Sequence, residues 1–244
     1  MVDKTFKMEQ SKLIVYLTTL WCNMGAVKPL GIDQRREKEK QIRRNDILEA
    51  AEHVFFTKGY NQATMDDVAK AAEFSKRTVY VYFNSKEQIY FEIMIRGYRL
   101  MIGLLKQKIQ NAGAVTAIES LKQMGDVFYS FSRQHPEYFK AIIEYETAEI
   151  DFESGVTDEA RDECYALGEE MTEYLVGLLG QGMDEGEIRK DLDVVKTALV
   201  LWSCVIGVLN TAHKKEKYIR HMHSTTPDEL VSAAFTLMLE SIRN

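Results

Sequence analysis

Apolar residues recur at intervals of three and four positions along most of this chain, and strand-like alternation is hard to find. That spacing places apolar side chains on one face of an α-helix. Together with capping residues and a few glycines, the pattern predicts an all-α fold of about nine helices. We expect them near residues 40–58, 64–72, 75–83, 85–110, 116–133, 135–150, 158–185, 191–217 and 226–243, with a loop at 151–157.

The most informative stretch is residues 64–86, TMDDVAKAAEFSKRTVYVYFNSK, which predicts two short helices and the start of a third. Each begins at a residue that favours the N-cap position, namely Thr64, Ser75 and Ser85. Asp67 and Gln88 follow two of these caps at the spacing of a capping box. Helices this short are unstable alone, so they must pack against the preceding helix.

The second of these helices presents cationic, hydroxyl and phenol groups near its start: Lys76, Arg77, Thr78, Tyr80 and Tyr82. Such groups bind phosphates and base edges in the major groove of DNA. The stretch therefore favours a helix-turn-helix that binds duplex DNA. A helical hairpin with a solvated polar face is the alternative that it leaves open.

Residues 44 to about 89 resemble the DNA-binding domain of the TetR family of transcriptional regulators. The resemblance is carried, without a gap, by ILEAA at 47–51, VF at 54–55, KGY at 58–60, ATMDDVA at 63–69, SKRTVY at 75–80 and YFNSKE at 82–87. Two residues stand where the family often has glycine: Glu73, at the end of the second helix, and Arg77, in the recognition helix.

This resemblance implies a DNA-binding transcriptional regulator, usually a repressor, that binds a palindromic operator as a dimer and responds to a small molecule. It implies a helix-turn-helix domain at 35–88, a helical regulatory and dimerisation domain at 89–244, a cytoplasmic location and no enzymatic activity. A ligand-independent DNA-binding protein and a membrane-tethered regulator are the alternatives.

The residues expected to contact DNA follow from the same resemblance and from the basic run at 34–44. Tyr80, Tyr82 and Lys86 match positions that grip the sugar-phosphate backbone, and Lys76 to Thr78 are placed to read bases. The full expected set is Arg43, Arg44, Thr64, Lys76, Arg77, Thr78, Tyr80, Tyr82 and Lys86.

The charge distribution supports a single DNA-binding face, although the whole chain carries a net charge of −6. Residues 35–86 hold 11 Lys and Arg against 8 Asp and Glu, a net charge of +3, whereas residues 87–244 hold 16 against 26, a net charge of −10. A basic front on an acidic body presents one face only to a polyanion.

Cysteine and histidine usage indicates neither a disulfide framework nor a metal site. The three cysteines are far apart, which favours a reducing compartment, and they are Cys22, Cys164 and Cys204. The histidines near the C-terminus, His213, His221 and His223, have no partners at metal-ligand spacing, so we interpret them as a polar loop. We expect no cofactor.

The acidic body is similar to that of family members that hold a small ligand among their middle helices. Aromatic and methionine side chains are the candidates for such a cavity, or equally for plain core: Met101, Phe128, Phe131, Tyr145, Met171, Tyr174 and Trp202. An inward-facing acid, Glu144, Glu146 or Glu170, would select a cationic lipophile; a solvated acidic surface is the alternative. The helix after Ser85 is expected to be the only direct strut between this body and the DNA-reading unit.

The helices at 191–217 and 226–243 are apolar over more than one face. The resemblance makes them the homodimer interface, with core helices of a monomer as the alternative. Residues 1–34 do not fit the rest, because 13–27 is largely apolar and follows three lysines. We interpret them as an N-terminal extension, with Met24 as a plausible true start.

Overall fold

The computed structural model describes residues 31–113, 115–147 and 159–244. This part of the chain contains ten α-helices and, among its residues, no β-strand beyond one isolated antiparallel bridge between Ile188 and Arg243. The all-α prediction is confirmed, with one helix more than expected. The loop predicted at 151–157 and most of the N-terminal extension, residues 1–30, lie outside the described residues.

The chain divides into two compact units, residues 1–46 and residues 47–244. In the described part of the first unit, the charge run is helical from Ile32 onward and exposed. The prediction that this helix starts near Lys40 was wrong. The run contains neither glycine nor proline, and the Glu39–Arg43 ion pair of 2.5 Å spans one turn, an arrangement that supports a helix.

Helix α1 (Ile32–Lys58) begins in the first unit, and its residues from 47 onward belong to the second. It is followed by α2 (Met65–Ala71), α3 (Lys76–Tyr82) and α4 (Lys86–Ala112). Thr64, Ser75 and Ser85 cap α2, α3 and α4 as predicted. Their shared core is made of Ile47, Leu48, Ala51, Val54, Phe55, Ala63, Met65, Val68, Ala69, Val79, Phe83, Ile89 and Ile93. The short helices are therefore held by α1 and α4.

The remaining six helices are α5 (Ala117–Gln134), α6 (Pro136–Glu146), α7 (Glu159–Asp184), α8 (Val194–Lys214), α9 (Glu216–His223) and α10 (Pro227–Ile242). They share a second core with the later turns of α4, in which Met101, Phe131 and Leu179 are almost completely buried. Thr116, Asp193 and Thr226 supply side-chain caps, and Pro136 occupies the first turn of α6, where its missing N–H costs nothing.

The single helix predicted at 191–217 was wrong, because α8 ends at Lys214 and α9 begins at Glu216. The interpretation of residues 213–223 as a polar loop is corrected with it. Ile219 is 5% exposed and anchors α9, and Glu216 pairs with Arg220 at 3.0 Å across one turn. One buried side chain and one ion pair thus fold a polar stretch into a separate short helix.

Helix α8 is unusual because much of its apolar surface is not buried. Val195, Leu199 and Val200 are 56%, 53% and 60% exposed, and Leu237 on α10 is 72% exposed. Within the described residues, α8 is the one helix long and apolar enough to cross a membrane by length and composition, with 17% of its most apolar window buried. Several of its apolar side chains are thus left uncovered by the described residues.

Candidate nucleic-acid interface and effector cavity

The turn between α2 and α3 is closed by a non-glycine residue in the left-handed region. Glu73 has φ of +58°, the Phe74 N–H donates to the Ala69 carbonyl at 3.0 Å, and the Glu73 N–H donates to the Lys70 carbonyl at 3.3 Å. This is a Schellman motif, in which glycine is the usual residue. Glu73 keeps the geometry at a cost of about 1 kcal/mol.

The start of α2 is fixed by reciprocal bonds between Thr64 and Asp67. The Thr64 hydroxyl accepts from the Asp67 N–H at 3.2 Å, and the Asp67 carboxylate accepts from the Thr64 N–H at 3.0 Å, which confirms the predicted capping box. Lys58 at the end of α1 donates to Asp67 at 2.5 Å. The bond from Lys58, followed by those from Thr64, lowers the pKa of Asp67 to about 2.

At the start of α4 the predicted second capping box has a different form. The Gln88 N–H donates to the Ser85 hydroxyl at 3.0 Å, as predicted. Its side-chain oxygen, however, accepts from the Asn84 N–H at 2.7 Å, one residue before the cap. The turn after α3 is thus fixed at both Asn84 and Ser85.

Burial of one face of α3 determines which side chains it presents outward. Val79 is fully buried and Phe83, its C-cap, is 1% exposed. The opposite face shows Lys76, Arg77, Tyr80 and Val81, of which Tyr80 is 46% and Val81 is 70% exposed. Sequence reasoning missed Val81, because an apolar residue in an amphipathic helix is assigned to the core by default.

The two cations at the front of α3 differ in their surroundings. Lys76 pairs with Asp66 of α2 at 2.7 Å, and this hydrogen bond raises the pKa of Lys76. Arg77 is exposed and has no acidic partner within 4 Å among the described residues. Arg77 can therefore bind another molecule without first breaking an ion pair.

Three further predicted contact residues are held in place by contacts within the protein. Thr78 donates its N–H to the Ser75 hydroxyl at 3.0 Å, and Tyr82 packs against the first core. Lys86 donates to the carbonyls of Tyr60 and Ala63 at 2.9 and 3.1 Å, and its ammonium lies 4.2 Å from the centre of the Tyr60 ring. Lys86 thus joins the segment after α1 to the start of α4.

Arg43 and Arg44 lie on α1 in the first unit. Arg43 is exposed and pairs with Glu39, and Arg44 is half-buried. Their role in DNA contact stays a prediction.

A cavity of about 280 Å³ lies within the helical body. Three of the predicted ligand residues line it: Tyr145, Met171 and Trp202. The others lie elsewhere: Met101 and Phe131 are fully buried core, Tyr174 packs against that core, and Phe128 lines a narrow apolar groove that shares Trp202 with the cavity.

The cavity is also lined by the ionisable groups Tyr98, Glu146 and Cys164. Of these three, only Glu146 was proposed from the sequence as a ligand-binding residue. The Tyr98 hydroxyl, on α4, donates to the Glu146 carboxylate on α6. Burial, and then the charge of Glu146, raises the pKa of Tyr98. Burial, with the charges of Glu146 and Glu163, raises the pKa of the Cys164 thiol to about 12. The lining is thus aromatic with a negative potential.

Helix α6 touches the DNA-reading helices at one end and the cavity at the other. The Tyr138 hydroxyl donates to Glu52 of α1 at 2.8 Å, and its ring meets Phe56 edge-on at 5.3 Å. Arg96 of α4 donates to the same Glu52 oxygen at 3.0 Å. The expectation that α4 is the only strut was wrong, because α6 makes a second direct connection.

Comparison with known proteins agrees with this arrangement. A family described as "Bacterial regulatory proteins, tetR family" matches residues 47–93. The HTH-type transcriptional regulator YfiR of Bacillus subtilis (strain 168) is 30% identical over 182 residues, which cover 72% of this chain and 82% of that protein. The chain belongs to the TetR family. It is a DNA-binding transcriptional regulator, with α2 and α3 as its helix-turn-helix.

Other TetR-family relatives are more distant. The fatty acid metabolism regulator protein of Bacillus subtilis (strain 168) is 27% identical over 158 residues, which cover 64% of this chain and 76% of that protein. The solved structure of AibR in complex with isovaleryl coenzyme A and operator DNA superposes with a TM-score of 0.60 at 18% identity, covering 80% of this chain and 97% of that one. FadR from Bacillus subtilis in complex with stearoyl-CoA gives a TM-score of 0.57 at 20% identity, covering 81% and 98%. These structures share the fold.

Proposed function

We propose that this TetR-family protein is a homodimeric repressor whose affinity for a palindromic operator is changed by a small molecule bound in the body cavity. The observation that supports the DNA-binding role is the exposed face of α3. Arg77, Tyr80 and Val81 are exposed on this face, on the side opposite the buried core. A guanidinium clamps a guanine edge, a phenol bonds phosphate, and a valine methyl group contacts the methyl group of thymine.

The proposed dimer uses α8 and α10, within the predicted ranges 191–217 and 226–243. Their outward faces leave Leu199, Val200 and Leu237 more than half exposed, a concentration of apolar surface that soluble monomers rarely show. A two-fold dimer covers this surface and places two recognition helices on successive major grooves. The same pairing accounts for the apolar composition of α8 without a membrane.

The proposed coupling runs through α6. Tyr145 and Glu146 at the cavity follow Tyr138 by seven and eight residues, about 10–12 Å along the helix axis. A ligand that displaces the end of α6 near Glu146 changes the position of Tyr138 against Glu52 and α1. The equilibrium shifts only if the ligand binds the two arrangements with different affinity.

The test begins with the purified full chain on a library of genomic duplexes, followed by footprinting of the protected DNA. We expect a dimer by light scattering, a palindromic footprint and an affinity that falls steeply with salt. A metabolite panel, scored by operator release and by thermal shift, then tests the effector role. A monomer that binds no duplex at low salt would contradict the proposal, and DNA binding that no compound alters would favour the ligand-independent alternative.

The proposal places the protein in the cytoplasm, because operator binding requires access to chromosomal DNA. Fractionation of cells that express the chain from Met1 or from Met24 distinguishes the cytoplasmic location from the membrane-tethered alternative, by showing which fraction contains each form. Recovery of the Met1 form alone in membranes would favour the tether.

A further inference from the structure

The mouth of the body cavity has an unbalanced charge. Glu146, from the end of α6, and Glu169, from α7, are both exposed and both line it. Neither has a cationic partner within 4 Å among the described residues. Among the residues that the structure describes, the cavity lining contains no Lys, Arg or His.

Three cations of α4 and α7, the helices that contribute Tyr98 and Glu169 to the cavity, are paired with acids. Arg99 of α4 pairs with Glu163, and Lys106 of α4 pairs with Glu170 at 2.7 Å. Arg161 lies 3.4 Å from Asp162. A ligand that carries phosphates or a carboxylate would therefore meet two uncompensated carboxylates at the mouth, while the exposed Lys122 lies along the adjoining groove and not in the cavity lining.

Aromatic rings surround the same space. Tyr145 and Tyr165 lie 5.8 Å apart between ring centres at 59°, and Trp202 lines the side towards α8. The Tyr145 hydroxyl is buried and has no hydrogen-bond partner of good geometry in the described part of the chain. Aromatic faces beside carboxylates are the surroundings that bind organic cations.

An apolar groove continues from the cavity. It shares Met124, Leu175 and Trp202 with the cavity and is completed by Phe128, Val205 and Phe235. An aliphatic or aryl group that extends from a charged head at the mouth would displace Trp202 slightly and enter this groove.

We propose that the cavity takes an organic cation, of the ammonium or quaternary ammonium class, that carries an apolar arm. The inference rests on the proposed effector cavity and gives its ligand a charge and a shape. Glu146 and Glu169 hold the cation, Tyr145 and Tyr165 cover it, and the arm lies along Trp202. Acyl coenzyme A thioesters, which are bound in the AibR and FadR structures, have the opposite head charge.

Four probes that share one eight-carbon chain test the inference: octyltrimethylammonium, octanoate, octan-1-ol and octanoyl coenzyme A. The chain contains two tryptophans, so a Trp21→Phe background leaves Trp202 as the only indole reporter. Titration calorimetry on the full chain checks each fluorescence titration. We expect octyltrimethylammonium to bind at least tenfold more tightly than octanoate or octanoyl coenzyme A, with an affinity that falls as salt is added.

Glu146→Gln keeps the shape of the side chain and removes its charge, so it should weaken octyltrimethylammonium about tenfold and leave octan-1-ol unchanged. Glu170→Gln is the matched control, since its carboxylate faces Lys106, and it should change neither. If Glu146→Gln does not fold by circular dichroism, Glu169→Gln takes its place with the same expectation.

Equal affinity for all four probes, tighter binding of octanoyl coenzyme A, or no effect of Glu146→Gln or its substitute Glu169→Gln would overturn the inference. Operator binding, measured in parallel, separates the two proposals. A cation that binds without releasing operator DNA would support the cation site and contradict its effector role. Release by octanoyl coenzyme A with no cation binding would do the reverse.

Discussion

The Tyr138 hydroxyl lies 2.8 Å from the Glu52 carboxylate, across 86 positions of the chain. It joins α6 to α1, and Arg96 of α4 completes the same half-buried site. Gly97 allows this approach, because a β-carbon there would lie 3.1 Å from the Tyr138 ring. Three helices of the regulator thus meet at one carboxylate.

Tyr138→Phe should lower the free energy of unfolding by about 1–2 kcal/mol, because it removes a hydrogen bond to a charged acceptor while the ring contacts remain. Denaturant unfolding measures this. Tyr218→Phe, at a tyrosine that is 54% exposed, should be neutral. Equal losses for the two variants would show that the Glu52 bond contributes nothing specific.

Arg77→Ala should cost about 1–3 kcal/mol on the operator and relax the preference at one base pair. Lys76→Ala should cost less, because Lys76 already pairs with Asp66. Competition binding against a library of operator variants measures both. An equal loss on every sequence would instead identify Arg77 as a phosphate contact.

Glu73→Gly should stabilise the protein by about 0.5–1 kcal/mol, because glycine adopts positive φ without strain but has more freedom in the unfolded chain. Ala72→Gly, one residue earlier at a φ of −79°, should destabilise it. Thermal unfolding of both variants provides the comparison. Destabilisation by Glu73→Gly would mean that the glutamate side chain makes a compensating contribution.

Leu237→Glu should disrupt the proposed dimer, because it puts a charge into the centre of an apolar interface. Light scattering should report a monomer, and operator affinity should fall at least tenfold because each half-site then binds alone. Leu100→Glu on α4 is the control for added charge and should remain dimeric. A dimeric Leu237→Glu variant would exclude this face of α10 from the interface.

Stability at acid pH should depend on Asp67. Its pKa is lowered from 3.8 to about 2 in the folded protein, chiefly by the bond from Lys58. A lowered carboxyl pKa contributes stability above the unfolded value that is lost as pH falls through the folded value. Asp67→Asn should therefore reduce the dependence of the thermal midpoint on pH between about pH 4 and pH 2. Lys58→Met should reproduce most of that reduction. A wild-type slope in both variants would contradict this.

Local features of the DNA-reading unit were predictable because they depend on neighbours in sequence. The caps at Thr64, Ser75 and Ser85, the buried face with Val68 and Val79, and the outward position of Arg77 all follow from helical spacing and short-range hydrogen bonds. The sequence showed only that Glu73 stands where the family often has glycine, and the structure shows that it keeps the left-handed geometry, with φ of +58°. The exposure of Val81 was missed although Val81 follows Arg77 by four residues and shares its outward face, because an apolar residue was not considered for the exposed side of the helix.

The sequence alone thus determined the helical class, the helix-turn-helix and the basic front of this regulator, because periodicity, capping and charge act over a few residues. Tertiary structure alone decided that α6 reaches Glu52, that Lys86 is tied to the Tyr60 and Ala63 carbonyls, and that Glu146 meets Tyr98 at a cavity. Each of these contacts joins residues that are 23 or more positions apart. Only the packing of whole helices brings such residues together.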